Sequence, residues 1–394
     1  MITRGRRTTY TPLLLLAGAL LACADAPSQI GRPTAAQYSA TKFWDATAST
    51  RWNRRVAGLL AVRPPGNGQA ATSRILTYLS IAQYRAVLAA EDGKLGSTHP
   101  SVPAAVGSAS VAVLSKFFPL DAAALEDTLD ADLAAAQWPG TRHEDVASGE
   151  AIGRAIGAEV NALAATDNYL VLSPGTPPPG AGKWTSSSAA IVRSLHGARP
   201  FFMTSASQLR PPPPPALGSP AFLAALAEVR AVADSRTPEQ IAIAQRWNTS
   251  SAPFTAGTLN LIADDLIEAH HRTEREAARI LAYANAAAFD AQIACFDAKF
   301  EYWFLRPSQA DPAIKLSIAL PNHPSYPSGH SCITTAITTV LAAALPSERD
   351  KLEEISTLAG VSRIYGGIHY RFDIEAGQAI GRGAAELALN GSLP

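Results

Sequence analysis

The chain contains the stretch Lys299-Phe-Glu-Tyr-Trp-Phe-Leu-Arg306-Pro307, in which two cations lie seven residues apart around aromatic and apolar side chains. Seven residues are nearly two turns of an α-helix, so the spacing predicts that Lys299 and Arg306 project from one helix face. Pro307 disfavours the helical conformation for the residue before it, which predicts that this helix ends at Arg306. An apolar helix would bury both cations, and an isolated buried cation is costly. The stretch therefore predicts a bound anion, with a solvated Lys/Arg face as the alternative.

A second stretch, Pro327-Ser328-Gly329-His330, comes directly before an apolar, threonine-rich segment. That segment is predicted to form a helix with a serine available for its N-cap. The unpaired backbone N–H groups of its first turn and the helix dipole would favour an anion. Gly329 would let the anion approach the backbone, and His330 could donate or accept a proton. Taken alone, the stretch favours an ordinary capped turn.

The third stretch is Ser362-Arg363-Ile-Tyr-Gly-Gly-Ile-His369-Tyr-Arg-Phe-Asp373. It is predicted to begin near the end of a helix that opens with a capping box at residues 347–350. Two glycines would break that helix, and His369 and Asp373 would reach each other where helical order resumes. A carboxylate on one imidazole nitrogen fixes the tautomer and makes the other nitrogen a better nucleophile or metal ligand. The stretch therefore predicts a His–Asp unit beside a third cation, Arg363.

The composition indicates a globular protein without a strong overall electric field. Hydrophobic residues make up 47% of the 394 residues, enough for a sizeable core. Lys+Arg and Asp+Glu both number 33, so an anion would have to be held by locally gathered cations rather than by net charge. We therefore expect no nucleic-acid partner.

The N-terminus is typical of an exported bacterial protein. Arginines precede an apolar run from Leu13 to Ala22, which predicts a secretory signal. The sequence Leu20-Leu21-Ala22-Cys23 resembles a bacterial lipobox, in which Cys23 would be lipidated and would be the only membrane contact of a cell-envelope lipoprotein. An ordinary cleaved signal, which would leave a periplasmic protein, and an uncleaved anchor are the alternatives.

Helical patterns dominate the rest of the chain. Apolar residues recur at three- and four-residue spacing, alanine is abundant, and no convincing run of alternating strand residues is present. The predicted fold is all-α, with one helical bundle or two related ones. A Pro-rich segment predicts a stiff structural strap, with a partner-binding polyproline segment as the alternative. The predicted organisation is a signal peptide with lipobox (1–23), a flexible tether (24–40), an N-terminal helical region (41–165), a Pro-rich connecting segment (166–220) and a C-terminal helical catalytic region (221–394).

Two cysteines, Cys295 and Cys332, lie close in sequence to the first two stretches. In an oxidising compartment they could form a disulfide if the geometry allowed it. Two buried thiols are the alternative, and the sequence does not decide between them.

Together, the three stretches resemble the signature of a known superfamily. It joins type 2 phosphatidic acid phosphatases, bacterial class A acid phosphatases and vanadium-dependent haloperoxidases. Its signature reads Lys-x6-Arg-Pro, Pro-Ser-Gly-His and Ser-Arg-x5-His-x3-Asp, and every position holds the expected residue here. The sequence around the three stretches is most similar to the bacterial vanadium-haloperoxidase-like branch. The resemblance implies a helical bundle of the haloperoxidase and acid phosphatase type.

The resemblance also implies a role for each signature residue. His330 would act as acid/base. His369, oriented by Asp373, would be either the ligand of vanadate or a nucleophile that forms a phosphohistidine. Five residues would bind the oxygens of a tetrahedral oxyanion: Lys299, Arg306, Ser328, Gly329 and Arg363.

Two activities fit this signature. The extended similarity favours a haloperoxidase, with vanadate as cofactor and with hydrogen peroxide and halide as substrates. His323 stands where bromoperoxidases of the family tend to have histidine, which favours bromide or iodide and makes His323 a catalytic candidate. The short segment between His330 and Arg363 instead resembles acid phosphatases, which would hydrolyse a phosphomonoester without vanadate. An inactive envelope lipoprotein is the second alternative, and a homodimer is compatible with the family.

Overall fold

Helices account for nearly all the regular structure that is described. The computed structural model describes residues 47–66, 68–93, 99–136, 144–171, 175–187, 195–248 and 253–394. The predicted signal peptide with its lipobox, Cys23 and the predicted tether lie outside the described residues. The structure therefore bears on the helical regions and on most of the Pro-rich segment.

Thirteen α-helices occur within these ranges. Five precede the Pro-rich segment: α1 (Ala48–Val62), α2 (Gly68–Asp92), α3 (Val102–Phe117), α4 (Ala122–Ala136) and α5 (Val146–Ala165). Eight follow it: α6 (Pro220–Ser235), α7 (Pro238–Arg246), α8 (Phe254–Ala269), α9 (Glu274–Tyr302), α10 (Pro307–Ala310), α11 (Gly329–Ala344), α12 (Arg349–Gly366) and α13 (Arg371–Asn390). Two short strands, β1 (His99–Pro100) and β2 (Glu144–Asp145), pair in parallel. The all-α prediction is confirmed, and none of the described helices is long and apolar enough to cross a membrane.

Two of the helices begin in different ways. At α9, Thr273 accepts from the Glu276 N–H and the Glu276 carboxylate accepts from the Thr273 N–H, which forms a capping box. The capping box predicted for residues 347–350 is wrong. A 3-10 turn occupies Pro346–Glu348, and α12 begins after it without a side-chain cap. Because Pro346 is suited to the first position of a helical turn, the chain has already turned where the cap would form.

Helix α9 connects the two halves of the fold. Its 29 residues pack against α2 from the N-terminal half and against α11 and α13 from the C-terminal half. Many of its buried residues are alanines, which lets neighbouring helices approach, and one continuous hydrophobic cluster contains residues of both halves. The last turn of this buried helix carries Lys299, so the fold places a cation at the edge of its own core.

Helix α13 packs very closely on α11 at two glycines. A Cβ atom at Gly377 would lie 2.6 Å from the Ser328 carbonyl oxygen, and one at Gly381 would lie 2.7 Å from the Cys332 carbonyl oxygen. Both distances are shorter than a side-chain carbon can accept, so this backbone approach requires glycine. The contact fixes the start of α11 against the helix that contains Asp373.

The Pro-rich segment is anchored to the C-terminal helical region. Asp290 on α9 is buried and accepts hydrogen bonds from the backbone N–H groups of residues 201–203. The hydroxyls of Tyr302 and Tyr326 donate to the carbonyl groups of residues 211–212, at 2.6 Å and 2.7 Å. These contacts are those of a strap, and they place it beside the loop that leads into α11.

Candidate oxyanion-binding active site

The stretch that holds Lys299 and Arg306 is not one helix. Helix α9 ends at Tyr302, and Trp303 adopts a left-handed conformation with a φ of 52°. The predicted helix end at Arg306 is therefore wrong by about one turn, and the two cations do not share a helix face. The effect predicted for Pro307 is present, because Arg306 is extended, with φ −79° and ψ 156°.

Backbone pairing with the Pro-rich segment explains the early helix end. The Trp184 N–H donates to the Trp303 carbonyl oxygen at 2.7 Å, and the Leu305 N–H donates to the Gly182 carbonyl oxygen at 3.1 Å. Residues that pair in this way with an extended strand cannot also continue the hydrogen bonds of α9. A partner more than 100 residues away along the chain thus overrides the local helical preference.

Lys299 is fully buried, and the loop before α11 surrounds its ammonium group. Nζ donates to the carbonyl oxygens of Pro324 at 2.8 Å, of Ser325 at 2.7 Å and of Pro327. An ammonium group has three N–H donors, so these three bonds hold the loop in place. One of them must be exchanged before Lys299 can bind an anion. Burial lowers the pKa of Lys299 to about 8.

Arg306 is also fully buried and touches two histidines. Nη1 donates to the Ile368 carbonyl oxygen at 2.7 Å and lies 3.0 Å from His369 Nε2. Nε donates to the His323 carbonyl oxygen at 3.1 Å, and Nη2 lies 3.1 Å from His323 Nδ1. Burial lowers the pKa of Arg306 to about 10, so the side chain remains cationic at neutral pH.

Arg363, near the end of α12, is the third buried cation, with 1% of its surface exposed. Burial lowers its pKa to about 9, and the charge of Arg306 contributes in the same direction. Within the described part of the chain, no carboxylate forms an ion pair with Lys299, Arg306 or Arg363. Buried cations without a counter-charge are costly, and a bound oxyanion would offset that cost.

The first turn of α11 opens towards free space next to these cations. Ser328 is the N-cap, and its Oγ accepts from the Ser331 N–H at 3.4 Å and from the Ser331 hydroxyl at 3.1 Å. Because Oγ accepts in both contacts, the Ser328 hydroxyl hydrogen can be donated to an anion. A Cβ atom at Gly329 would meet no atom within 4 Å, so the backbone there is open to a guest. Such a helix N-terminus attracts negative charge.

His369 and Asp373 form the pair that their spacing predicts, although His369 lies before α13 rather than on it. His369 Nδ1 lies 2.7 Å from Asp373 Oδ2, and Nε2 faces the Arg306 guanidinium. Because arginine only donates, Nε2 carries the lone pair and Nδ1 carries the hydrogen. Burial, with the charges of Arg306 and Lys299, lowers the pKa of His369 well below its usual value. The imidazole is therefore neutral at pH 7, in the tautomer that a nucleophile or a vanadate ligand requires.

The two other candidate histidines have different partners. His330 Nε2 lies 3.1 Å from the Trp247 carbonyl oxygen, so this nitrogen carries the hydrogen and donates it. Burial lowers the pKa of His330 well below its usual value. His323 contacts the Arg306 guanidinium, and its ring packs against Phe296 with 5.3 Å between the ring centroids. Burial lowers the pKa of His323 as well. The site therefore holds three neutral imidazoles, with His369 the one that faces Asp373.

Several groups that shape the site were not predicted from the sequence. Ser325 Oγ donates to Asp373 Oδ2 at 2.6 Å. Carbonyl groups at the end of α7 accept from Arg363 and His330, so the negative end of that helix dipole faces both side chains. These contacts join distant parts of the chain, and a single serine or a backbone carbonyl has no spacing pattern. The repeated Pro-Ser ahead of the Pro-Ser-Gly-His stretch is the one local signal that could have indicated Ser325.

Cys295 and Cys332 are buried thiols and do not form the disulfide that the sequence left open. Cys295 Sγ lies 3.7 Å from the Pro327 carbonyl oxygen, which also accepts from Lys299. The two thiols are thus part of the packing beneath the loop that leads into α11.

Comparisons with known proteins place all three stretches within one matched segment of the chain. A sequence profile of the PAP2 superfamily matches residues 278–391, which contain all three stretches. A non-specific acid phosphatase of Providencia stuartii is 31% identical over 183 residues, which cover 44% of this chain and 70% of that protein. The chain belongs to the PAP2 superfamily. A non-specific acid phosphatase of Salmonella typhi is 36% identical to this PAP2 chain over 70 residues, which cover 18% of the chain and 27% of that protein.

Solved structures share the fold of this PAP2 chain over most of its length. A bacterial vanadium-dependent iodoperoxidase superposes with a TM-score of 0.74 and 23% identity, covering 87% of this chain and 96% of that chain. A bacterial vanadium-dependent chloroperoxidase superposes with a TM-score of 0.62 and 13% identity, covering 82% of this chain and 92% of that chain. At these identities the likeness establishes the fold alone. The predicted superfamily and its fold type are confirmed.

Sulfate binding to this PAP2 protein is expected to weaken as the pH rises through about 8, because the pKa of Lys299 is lowered to about 8. Sulfate is a tetrahedral dianion that keeps its charge in this range, so the loss of affinity would report the loss of the ammonium charge. A bound sulfate raises the pKa of Lys299, so each pH unit between the pKa of the free protein, about 8, and the higher pKa in the complex should lower the affinity by up to about tenfold. Calorimetric titration across this pH range measures the effect.

The Lys299→Met variant is the control for that titration. It replaces the ammonium group by an uncharged chain of similar length, so its sulfate affinity should be lower throughout and should lack the step near the Lys299 pKa. An equally steep step in the variant would assign the titration to another group and contradict the prediction.

Proposed function

We propose that this PAP2 superfamily protein is a vanadate-dependent haloperoxidase that oxidises bromide or iodide with hydrogen peroxide. In this reaction the halide loses two electrons and becomes hypohalous acid, and hydrogen peroxide is reduced to water. The observation that carries the proposal is the site itself. The site holds three buried cations without carboxylate partners among the described residues, and the Nε2 lone pair of the neutral His369 imidazole faces one of them, Arg306.

The residues present fit vanadate. Its negative charge would offset the charges of Lys299, Arg306 and Arg363, and no atom lies within 4 Å of a Cβ position at Gly329, so an oxygen of vanadate could approach the backbone there. His369 Nε2 would be the ligand, and Asp373 would hold its ring through Nδ1. Vanadate, when bound, supplies a Lewis acid that activates hydrogen peroxide towards halide.

The residues around that group would control protons and charge. Arg306 would leave His369 Nε2 and donate to the oxyanion instead, and Lys299 would exchange one loop carbonyl for an oxyanion oxygen. His330, which already carries a hydrogen on Nε2, would hold and return a proton at the site. Each of these changes moves a side-chain donor from a protein acceptor to the guest, and the backbone can stay where it is.

His323 supports halide oxidation over phosphate ester hydrolysis. It adds a further imidazole to the site, joined to Arg306 and packed on Phe296. The roles of nucleophile and of acid/base in phosphoester hydrolysis are already filled by His369 and His330, so a third imidazole has no task there. Two solved structures that share the fold are peroxidases, and their likeness extends well beyond the residues matched by the superfamily profile.

An acid phosphatase is the second candidate, because both sequence relatives carry that name. In this case His369 Nε2 would attack the phosphorus of a phosphomonoester and form a phosphohistidine. The negative charge of the bound ester would raise the pKa of His330, so that its imidazolium form would protonate the departing ester oxygen. The buried cations would stabilise the charge on the equatorial oxygens. Water would then release inorganic phosphate and regenerate His369. The short segment between His330 and Arg363 agrees with this reading.

Two parallel assays distinguish these functions. The purified protein is incubated with vanadate, hydrogen peroxide and bromide or iodide in the presence of an organic trap, and halogenation of the trap is measured. Separately, hydrolysis of a phosphomonoester is measured without vanadate. Halogenation that depends on added vanadate supports the proposal, whereas hydrolysis that vanadate inhibits supports the phosphatase. If neither reaction occurs, the proposed function is wrong and the inactive envelope lipoprotein is the better description.

We further propose that the protein is exported and held at the cell envelope through a lipid on Cys23, and that it forms a homodimer. The lipobox at residues 20–23 supports the first part. Labelling with a radioactive fatty acid should mark the parent protein and not the Cys23→Ala variant. Light scattering of the soluble form measures the oligomeric state, and a monomer would contradict the second part.

A further inference from the structure

One serine, two residues before the second stretch, connects the first stretch of the site with the third. Ser325 is fully buried in the loop before α11. Its carbonyl oxygen accepts from Lys299 Nζ at 2.7 Å, and its N–H donates to the Phe304 carbonyl oxygen at 2.9 Å. Its hydroxyl donates to Asp373 Oδ2 at 2.6 Å. The backbone of Ser325 therefore holds the first stretch, while its side chain acts only on the carboxylate of the third.

The Asp373 carboxylate is held through one of its two oxygens. Oδ2 accepts from His369 Nδ1 at 2.7 Å, from the Ser325 hydroxyl at 2.6 Å and from the Tyr370 N–H at 3.1 Å. Oδ1 is buried and has no hydrogen-bond partner among the described residues. Nothing at Oδ1 opposes rotation of the carboxylate, so its orientation depends on the donors that meet at Oδ2. Ser325 is the only side chain other than His369 that donates there within the described part of the chain.

We propose that Ser325 is a positioning residue for His369: its hydroxyl fixes the Asp373 carboxylate, and the carboxylate fixes the imidazole ring. The proposal rests on the function proposed for His369 and deepens it. Without the hydroxyl, the Asp373 carboxylate would rotate about its bond to the Cβ atom. Oδ2, which accepts the hydrogen of His369 Nδ1, would then no longer be held in one position. Groups that orient a ligating or nucleophilic histidine through its second nitrogen typically change activity by about 10- to 100-fold when they are removed.

Within the described part of the chain, Ser325 forms no side-chain hydrogen bond with the cations of the site. Its hydroxyl is directed at Asp373, and its contact with Lys299 is made by the backbone carbonyl. Replacement by alanine removes the first contact and retains the second. Oxyanion binding by the cations should therefore survive, while the step that uses His369 Nε2 slows. A serine that merely completes the packing would instead change stability alone.

The test compares Ser325→Ala with Ser356→Ala. Ser356 is buried on α12 and its hydroxyl lies 2.7 Å from the Thr335 hydroxyl, so both variants lose one buried hydroxyl and one short hydrogen bond. For whichever activity the parent shows, kcat of Ser325→Ala should fall about tenfold with sulfate affinity changed less than about twofold. Ser356→Ala should keep the parent kcat. Equal kcat values in the two variants would overturn the proposal.

A spectroscopic readout makes the result independent of activity. The hydrogen between His369 Nδ1 and Asp373 should give a low-field proton resonance that is absent in His369→Ala. In Ser325→Ala this resonance should shift upfield or broaden through exchange, and in Ser356→Ala it should not change. An unchanged resonance in Ser325→Ala would overturn the positioning role. If the parent has neither activity, the proposed function fails, and the resonance still decides the role of Ser325.

Discussion

Replacement of His369 by alanine is expected to lower kcat by at least about 10³-fold, equivalent to about 4 kcal/mol of transition-state stabilisation. Nε2 of this neutral imidazole is the group that would attack phosphorus or hold vanadate, and the alanine methyl group can do neither. A loss of kcat is expected for either proposed activity, because both would use His369 Nε2. Stability should change little by comparison, because Asp373 Oδ2 keeps its hydrogen bonds from the Ser325 hydroxyl and the Tyr370 N–H. Steady-state kinetics and thermal unfolding measure the two effects.

The control is a second histidine that also bonds a carboxylate. His270 Nε2 lies 2.8 Å from Glu348 Oε1, and both side chains are partly exposed. His270→Ala therefore removes an imidazole–carboxylate contact without touching the site, and its kcat should equal that of the parent. If His369→Ala retained more than about a tenth of the parent kcat, a loss far smaller than that of a nucleophile or ligand, the role proposed for His369 would be refuted.

How well the sequence predicts this site depends on how far apart the interacting residues are in the chain. His369 and Asp373 are four residues apart, and the contact expected from their spacing is present at 2.7 Å. The start of α11 also follows from local sequence, because Ser328 caps the helix as a serine in that position should. Helical periodicity is a local property too, and it was sufficient to predict the all-α fold.

The first stretch shows the limit of such local reasoning. The spacing of Lys299 and Arg306 fits one helix face, yet the chain leaves the helix at Trp303 because the backbone beyond it pairs with Gly182 and Trp184. The two cations nevertheless lie in the same electrostatic environment, since the charge of Arg306 contributes to the lowered pKa of Lys299. The anion site stays a prediction, but it no longer depends on the shared helix face that was used to derive it.

Hydrogen-bond partners of the buried cations could not be predicted from the sequence for the same reason. Lys299 donates to three backbone carbonyl groups. Arg306 donates to the His323 carbonyl before α11 and to the Ile368 carbonyl after α12. Every residue has a carbonyl group, so composition and motif spacing carry no information about which one is used. The order of the signature indicates that a site exists, whereas the loop conformation determines which donors remain for a ligand.

Replacement of Arg306 by lysine is expected to lower kcat/KM by about 10²-fold, although the charge is retained. The guanidinium uses three nitrogens in one plane: Nε for the His323 carbonyl, Nη1 for Ile368 and His369, and Nη2 for the His323 ring. A lysine ammonium places all its donors on one nitrogen and cannot reach these acceptors together. The lysine variant could not donate to the oxyanion and hold the His323 and Ile368 carbonyl groups at the same time. Steady-state kinetics on the halide or the phosphomonoester measures the loss.

Arg236→Lys is the matched control, because Arg236 also donates through two nitrogens to backbone carbonyls, those of Tyr365 and Lys315. The Arg236→Lys variant should also lose a planar pair of guanidinium donors, but its kcat/KM should equal that of the parent. A large loss in Arg306→Lys and none in Arg236→Lys would show that the planar donor geometry at the site matters beyond charge. If Arg306→Lys kept more than about half of the parent kcat/KM, the side chain would act as a point charge, and the planar donor geometry would contribute nothing to transition-state stabilisation.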